Sequence, residues 1–140
     1  MITVTRRLEF DAAHRILNHE SKCKYFHGHR YVLEATFTAK KLDDLGRVID
    51  FGSIREILGG WIDANLDHNA ILSIKDQKMG DLIAETTGQK IYYLNENPTA
   101  ENIANHLLTE ICPKLFTNQD IKCVAVKLYE TPNCSADVKL

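Results

Sequence analysis

The chain has 140 residues, 44% of them hydrophobic, which suits one domain spanning 1–140 with a sizeable core. Its formal charge is −2, from 17 basic and 19 acidic side chains, and that balance argues against a broad surface for nucleic acid. No apolar run approaches bilayer length, and Met1 to Arg7 lacks the apolar core of a signal peptide, so neither a membrane nor a secretory route is expected.

Residues 2–14 alternate apolar and polar and predict a strand. Ile2, Val4, Leu8, Phe10, Ala12 and His14 share one face of it, interrupted only by Arg6. Residues 16–26 form a polar connection that carries Cys23. Residues 28–42 predict a second strand, with His27, His29, Tyr31, Leu33, Ala35 and Phe37 on one face. Charges from Lys40 to Asp44, followed by Gly46, mark a turn. Ser53 and Glu56 make the S-x-x-E of a capping box, and Ile54, Ile57, Leu58, Trp61 and Ile62 then recur at helical spacing. Gly59 and Gly60 weaken that helix by about 1 kcal/mol each relative to Ala. In Leu66-Asp67-His68-Asn69, the neighbours Asp67 and His68 either orient one another or form a polar helix end, and the pattern alone favours the second.

Residues 76–87 predict a helix stopped by Gly88, and Ile91 to Leu94 a short strand. Thr99 is the expected N-cap of a further helix with Ile103, Ala104, Leu107, Leu108 and Ile111 as its apolar stripe. Pro113 should kink or end that helix near Cys112. His106, beside the stripe, reads as a helix-surface histidine. Residues 121–130 predict a third long strand with Val124, Val126, Leu128 and Glu130 on one face, and 135–140 a short closing strand. The order predicts an α+β domain, with helices packed on one face of an antiparallel sheet. Thr3, Thr5, Arg7, Glu9, Glu34 and Thr36 make the other face polar, and oligomerisation would cover the two open edges.

Two features of this pattern carry chemistry. His27 and His29, two apart on an extended chain, leave the same face, and His14 joins them if the two strands pair. A surface or satisfied core role is the ordinary fate of an H-x-H. Three imidazoles converging on an apolar face need a partner, however, because buried polar groups without one are costly. Three neutral imidazoles with one open position is the arrangement of a catalytic zinc. Gly28 permits close approach to the backbone between them. Cys23 is either a fourth ligand or a thiol held beside the metal. Glu130 is either a solvated strand end or a carboxylate aimed into a pocket, where it accepts ligand N–H groups. The four cysteines include no C-x-x-C pair and read as reduced thiols of a cytoplasmic protein, with Cys112 and Cys123 in the core.

Six segments then appear in order: F-D-A-A-H-R at 10–15, C-K-Y-F-H-G-H at 23–29, V-I-D-F at 48–51, L-D-H at 66–68, P-T-A-E-N at 98–102 and Y-E-T at 129–131. Together they resemble the 6-pyruvoyltetrahydropterin synthase family over nearly the whole chain, and within it the bacterial 6-carboxy-5,6,7,8-tetrahydropterin synthases. The resemblance implies a tunnelling fold (T-fold), in which subunits build a trimer-based barrel, usually a homohexamer, with active sites at subunit interfaces. It implies that His14, His27 and His29 hold zinc and that Cys23 is the base or proton shuttle. Asp67 and His68 would complete the relay, and Glu130, with Thr131, would anchor the pterin ring of 7,8-dihydroneopterin triphosphate. Three residues separate Cys23 from His27, which resembles the carboxy-type enzyme of queuosine biosynthesis, whose reaction releases acetaldehyde and triphosphate. The alternatives are a 6-pyruvoyltetrahydropterin synthase of the biopterin type, a dihydroneopterin-cleaving relative, and a non-catalytic pterin- or metal-binding member. The last would need neither Cys23 nor the Asp67-His68 pair. Arg15, Lys22 and Lys24 are candidates for the triphosphate by proximity alone. Residues 73–97 resemble an insertion without an assigned role.

Overall fold

The computed structural model describes residues 1–140. Alternating patterns produce two long strands, β1 (Thr3–His14) and β2 (His27–Ala39), paired antiparallel. Phe10 lies opposite Tyr31, Ala12 opposite His29, and His14 opposite His27. Paired residues share a face, so the histidines extend the apolar side on which Phe10 and Tyr31 stack with ring centroids 5.1 Å apart. β5 (Ile121–Thr131) continues the sheet beyond β2, and β6 (Cys134–Lys139) beyond β5, both antiparallel.

On its other side β1 meets β3 (Asn69–Ser73) in parallel, and β3 pairs in parallel with β4 (Ile91–Leu94). The sheet, ordered β4-β3-β1-β2-β5-β6, is therefore mixed and not purely antiparallel. β3 is absent from the sequence expectation because its run, Asn69-Ala-Ile-Leu-Ser, does not alternate. Ala70, Ile71, Leu72 and Ser73 are all buried, as suits a parallel strand covered on both faces.

Helices cover the apolar face, except one whose Ile83 packs against Ala70 and Leu72 on the other side of β3. α1 (Phe51–Asn65) begins two residues before Ser53, with Asp50 in the N-cap position, so the expected capping box does not form. α2 (Gln77–Thr87) ends at Gly88, whose φ of 75° is the left-handed conformation a helix stop requires. α3 (Ala100–His106) is capped by Thr99, whose Oγ1 accepts the Asn102 N–H at 3.1 Å. The chain does not stop at Cys112. It widens into one π turn over Leu107–Ile111 and continues as α4 (Cys112–Leu115). Pro113 thereby falls in the first turn of α4, where its missing N–H costs little.

A register shift opposite Thr36 and Phe37 places Cys123, and not Val124, opposite Phe37. Cys123 is buried there with Val126 and Leu128, whereas Val124 is only partly covered. Cys112 is buried as well. His106 is more than a surface residue: its Nε2 lies 2.6 Å from the Tyr92 hydroxyl, and its Nδ1 lies 3.6 Å from Glu110. The opposite sheet face is polar, with the Thr5 and Thr36 hydroxyls 2.8 Å apart and Arg30 paired to Asp11 at 2.9 Å. No helix is long and apolar enough to cross a membrane.

Candidate active site

The β1–β2 register assembles the three imidazoles at one end of the apolar face. Ring centroids lie 4.8 Å apart for His14 and His27, 5.1 Å for His14 and His29, and 4.8 Å for His27 and His29. One ligand nitrogen from each falls within 4.8 Å of the others. Backbone carbonyls set two of the rings. The Pro98 carbonyl accepts from His14 Nδ1–H at 2.7 Å, and the Tyr25 carbonyl accepts from His27 Nδ1–H at 2.6 Å. A carbonyl cannot donate, so these Nδ1 atoms carry the protons and the Nε2 lone pairs are left free. Gly28 is needed between the pair, since a Cβ there would sit 3.3 Å from the Ala12 carbonyl oxygen of the adjacent strand.

The Nε2 atoms of His14 and His29 are buried without a hydrogen-bond partner. Orphaned nitrogens of this kind are expensive unless something else completes them. Burial lowers the His14 pKa to about 4; the Pro98 bond opposes this, and the nearby His27 and His29 reinforce it. Burial also lowers that of His29, against the pull of Glu130. Both rings are neutral at pH 7, the form in which an imidazole ligates a metal. The donor set fits a divalent transition metal with an open coordination position.

Glu130 reaches the same place. A second register shift, between Tyr129 and Thr131 in the β5–β6 pair, leaves Glu130 as the extra residue of the bulge. Its Oε1 lies 3.4 Å from His14 Nε2 and 3.8 Å from His29 Nε2. Thr131 faces the hairpin instead, its Oγ1 accepting the Asn133 N–H at 3.3 Å. Cys23 lies in the short 3₁₀ turn Lys22–Lys24 and is partly buried. Its carbonyl accepts the Ile16 N–H at 2.8 Å, which ties the turn back to the end of β1. The tight group of ligand atoms contains the three histidines without Cys23. Among the cations near the site, Arg15 is engaged by Asp76, its Nε donating to Oδ2 at 2.6 Å, and Lys24 lies over the Tyr25 ring.

Asp67 and His68 do orient one another, contrary to the helix-end reading. Asp67 Oδ2 accepts from His68 Nδ1–H at 2.9 Å, while Oδ1 accepts the Asp11 N–H at 2.9 Å. The cause is local: His68 takes a left-handed φ of 60°, and its own N–H donates to the Asp11 carbonyl at 2.6 Å. The hydrogen bond and charge of Asp67 raise the His68 pKa. Burial pushes the Asp67 carboxyl up, but the Asp11 N–H, His68 and Arg30 outweigh it and hold the group below its usual range. His68 stays 77% exposed and lines a cleft of about 400 Å³ with Asp11, Gly28, Arg30 and Gln89. The Asp11 and Arg30 side chains leave the sheet on the face opposite to His14 and His27.

Residues 3–140 match the family model described as 6-pyruvoyl tetrahydropterin synthase. Over 138 residues the chain is 56% identical to a 6-carboxy-5,6,7,8-tetrahydropterin synthase of Rickettsia bellii, covering 99% of this chain and 100% of that one. The protein of the same name from Rickettsia conorii is 57% identical over 138 residues, with the same coverage. Among solved structures, an uncharacterized protein of Wolinella succinogenes is similar in fold, with a TM-score of 0.80 at 21% identity, over 99% of this chain and 97% of that one. The 6-pyruvoyl tetrahydropterin synthase of Caenorhabditis elegans gives 0.70 at 22%, over 99% and 95%. With the family pattern running from the first strand to the last residue, the chain belongs to the 6-pyruvoyl tetrahydropterin synthase family.

Proposed function

We propose that the chain is a zinc-dependent 6-carboxy-5,6,7,8-tetrahydropterin synthase of the cytoplasm, acting in queuosine biosynthesis. It converts 7,8-dihydroneopterin triphosphate and one water to 6-carboxy-5,6,7,8-tetrahydropterin with release of acetaldehyde and triphosphate. The observation that carries this reading is the 56% and 57% identity, over the full length, to relatives of that name. The three-residue gap between Cys23 and His27 agrees with it.

His14, His27 and His29 hold the metal through their free Nε2 atoms. Zinc in that position would supply Lewis acidity to the hydroxyls of the substrate side chain. The remaining work belongs to the chain. Glu130, with Thr131 beside it, accepts N–H groups of the pterin ring and so fixes which side-chain carbon faces the base. The Cys23 thiolate takes the proton, and His68, held in one tautomer by Asp67, returns one. His68 and the histidine cluster are associated with opposite faces of one sheet. That separation supports a site in which His68 comes from a neighbouring subunit, within a trimer-based homohexamer.

Incubation with 7,8-dihydroneopterin triphosphate and mass analysis of the product tests the reading. The 6-carboxy product with one equivalent of acetaldehyde is expected. A 6-pyruvoyl product without acetaldehyde identifies the biopterin-type enzyme, and bound but unconverted pterin identifies a binding protein.

A further inference from the structure

The segment between β3 and α3, which has no role in the reaction as read above, is fastened to the strand end that carries His14. Asn97 is the centre of this attachment. Its Oδ1 accepts the Leu17 N–H at 3.0 Å and its Nδ2 donates to the Leu17 carbonyl at 3.0 Å, so one side chain imitates a strand partner for the chain just past β1. The Asn97 carbonyl in turn accepts the Thr99 N–H at 2.8 Å and Asn102 Nδ2–H at 3.0 Å. Asn97 is thus gripped from the α3 side while it grips Leu17. The residue between these two attachments is Pro98, whose carbonyl receives the His14 Nδ1–H. Two residues before Leu17, Arg15 is held by Asp76 of the same segment, and that carboxylate is 5% exposed.

We infer that Asn97 is a positioning residue for the metal centre: by locking Leu17 to the start of α3, it fixes the distance between the Pro98 carbonyl and His14 and so presents Nε2 for ligation. The physical argument is one of leverage. Two groups meet His14 Nδ1, the Tyr31 hydroxyl at 3.2 Å and the Pro98 carbonyl at 2.7 Å, and the shorter bond, which sets the tautomer, runs to a backbone carbonyl 84 residues away in sequence. No local geometry holds such a pair in register. Asn97 and its two backbone bonds supply the missing restraint, and a ligand whose outer partner is loosened loses metal affinity. The inference rests on the histidine cluster being a metal site, as proposed above.

The test measures zinc affinity by competition with a chromogenic chelator, together with the visible spectrum of the cobalt-substituted protein and the melting temperature of the metal-free protein. Asn97→Ala is expected to weaken zinc binding on the order of 10-fold and to alter the cobalt ligand-field bands. Asn97→Asp keeps the acceptor for the Leu17 N–H while losing the donor, and should fall between Asn97→Ala and the parent protein. It also serves as the variant to measure if Asn97→Ala does not fold. A variant that melts earlier yet keeps parental zinc affinity and an unchanged cobalt spectrum overturns the inference, because Asn97 would then only support the fold. His14→Ala is the control: parental zinc affinity in that variant would refute the metal site itself and not merely the role of Asn97.

Discussion

Two histidine environments stand at the same end of the sheet, and they push the imidazole in opposite directions. His14, 1% exposed, is desolvated and surrounded by other imidazoles, so it is held neutral with an unused Nε2. His68, beside the polar face, is exposed and hydrogen-bonded to a carboxylate, which favours its protonated form. The first environment suits a metal ligand and the second suits a proton donor. The residue type is the same, and solvent access and the neighbouring charge decide the role.

The largest effect should come from the Cys23 thiol. Cys23→Ala is expected to keep zinc and lower turnover by about 10²–10⁴. Zinc lost in step with activity would make Cys23 a ligand and erase the distinction between base and metal site. The same variant tests whether the two faces meet across subunits. Mixed with His68→Ala under demonstrated subunit exchange, it should regain about a quarter of the sites if Cys23 and His68 act in trans. Exchange without recovered activity refutes that arrangement.

Acid should separate the environments thermodynamically. In the metal-free protein the unfolded chain protonates His14 near its ordinary 6.5, whereas the folded chain resists until about 4. The unfolded state therefore binds the extra proton between these values, and stability falls as pH drops through that window, by about 3 kcal/mol for this group. Urea unfolding at pH 7 and pH 4 should show a drop smaller by that amount in His14→Asn; an equal drop in both proteins would exclude His14 as the source.

Glu130 sharpens the same boundary from the other strand. Glu130→Ala should weaken binding of a pterin lacking the triphosphate by about 1.5–3 kcal/mol, the range for a hydrogen bond to a charged group. Unchanged affinity in calorimetric titration would confine Glu130 to the neighbourhood of the histidines. The smallest effect concerns the exposed pair. Asp67→Asn should bring the raised His68 pKa back toward 6.5, read from its ring-proton shifts by NMR. A pKa that stays where Asp67 holds it would mean that the bond contributes nothing to the relay.

Much of this arrangement was legible in the residues. Alternation in β1 and β2 placed His14, His27 and His29 on the apolar face, because side chains two apart on a strand point the same way wherever the strand ends up. Thr99 and Gly88 marked helix ends through bonds and backbone freedom that act within four residues. What the pattern missed depends on partners distant in sequence. β3 exists because β1 and β4 flank it, and no period within five buried residues announces that. Val124 was re-aimed by a register shift, which arises from pairing with another strand. Asp67 meets His68 only because the Asp11 backbone holds His68 in a left-handed turn. The carbonyls of Pro98 and Tyr25 that set the ligand tautomers are carried by every residue alike, so composition and spacing could name the imidazoles, while the folded backbone, local at His27 and 84 residues distant at His14, chose which of their nitrogens would be free.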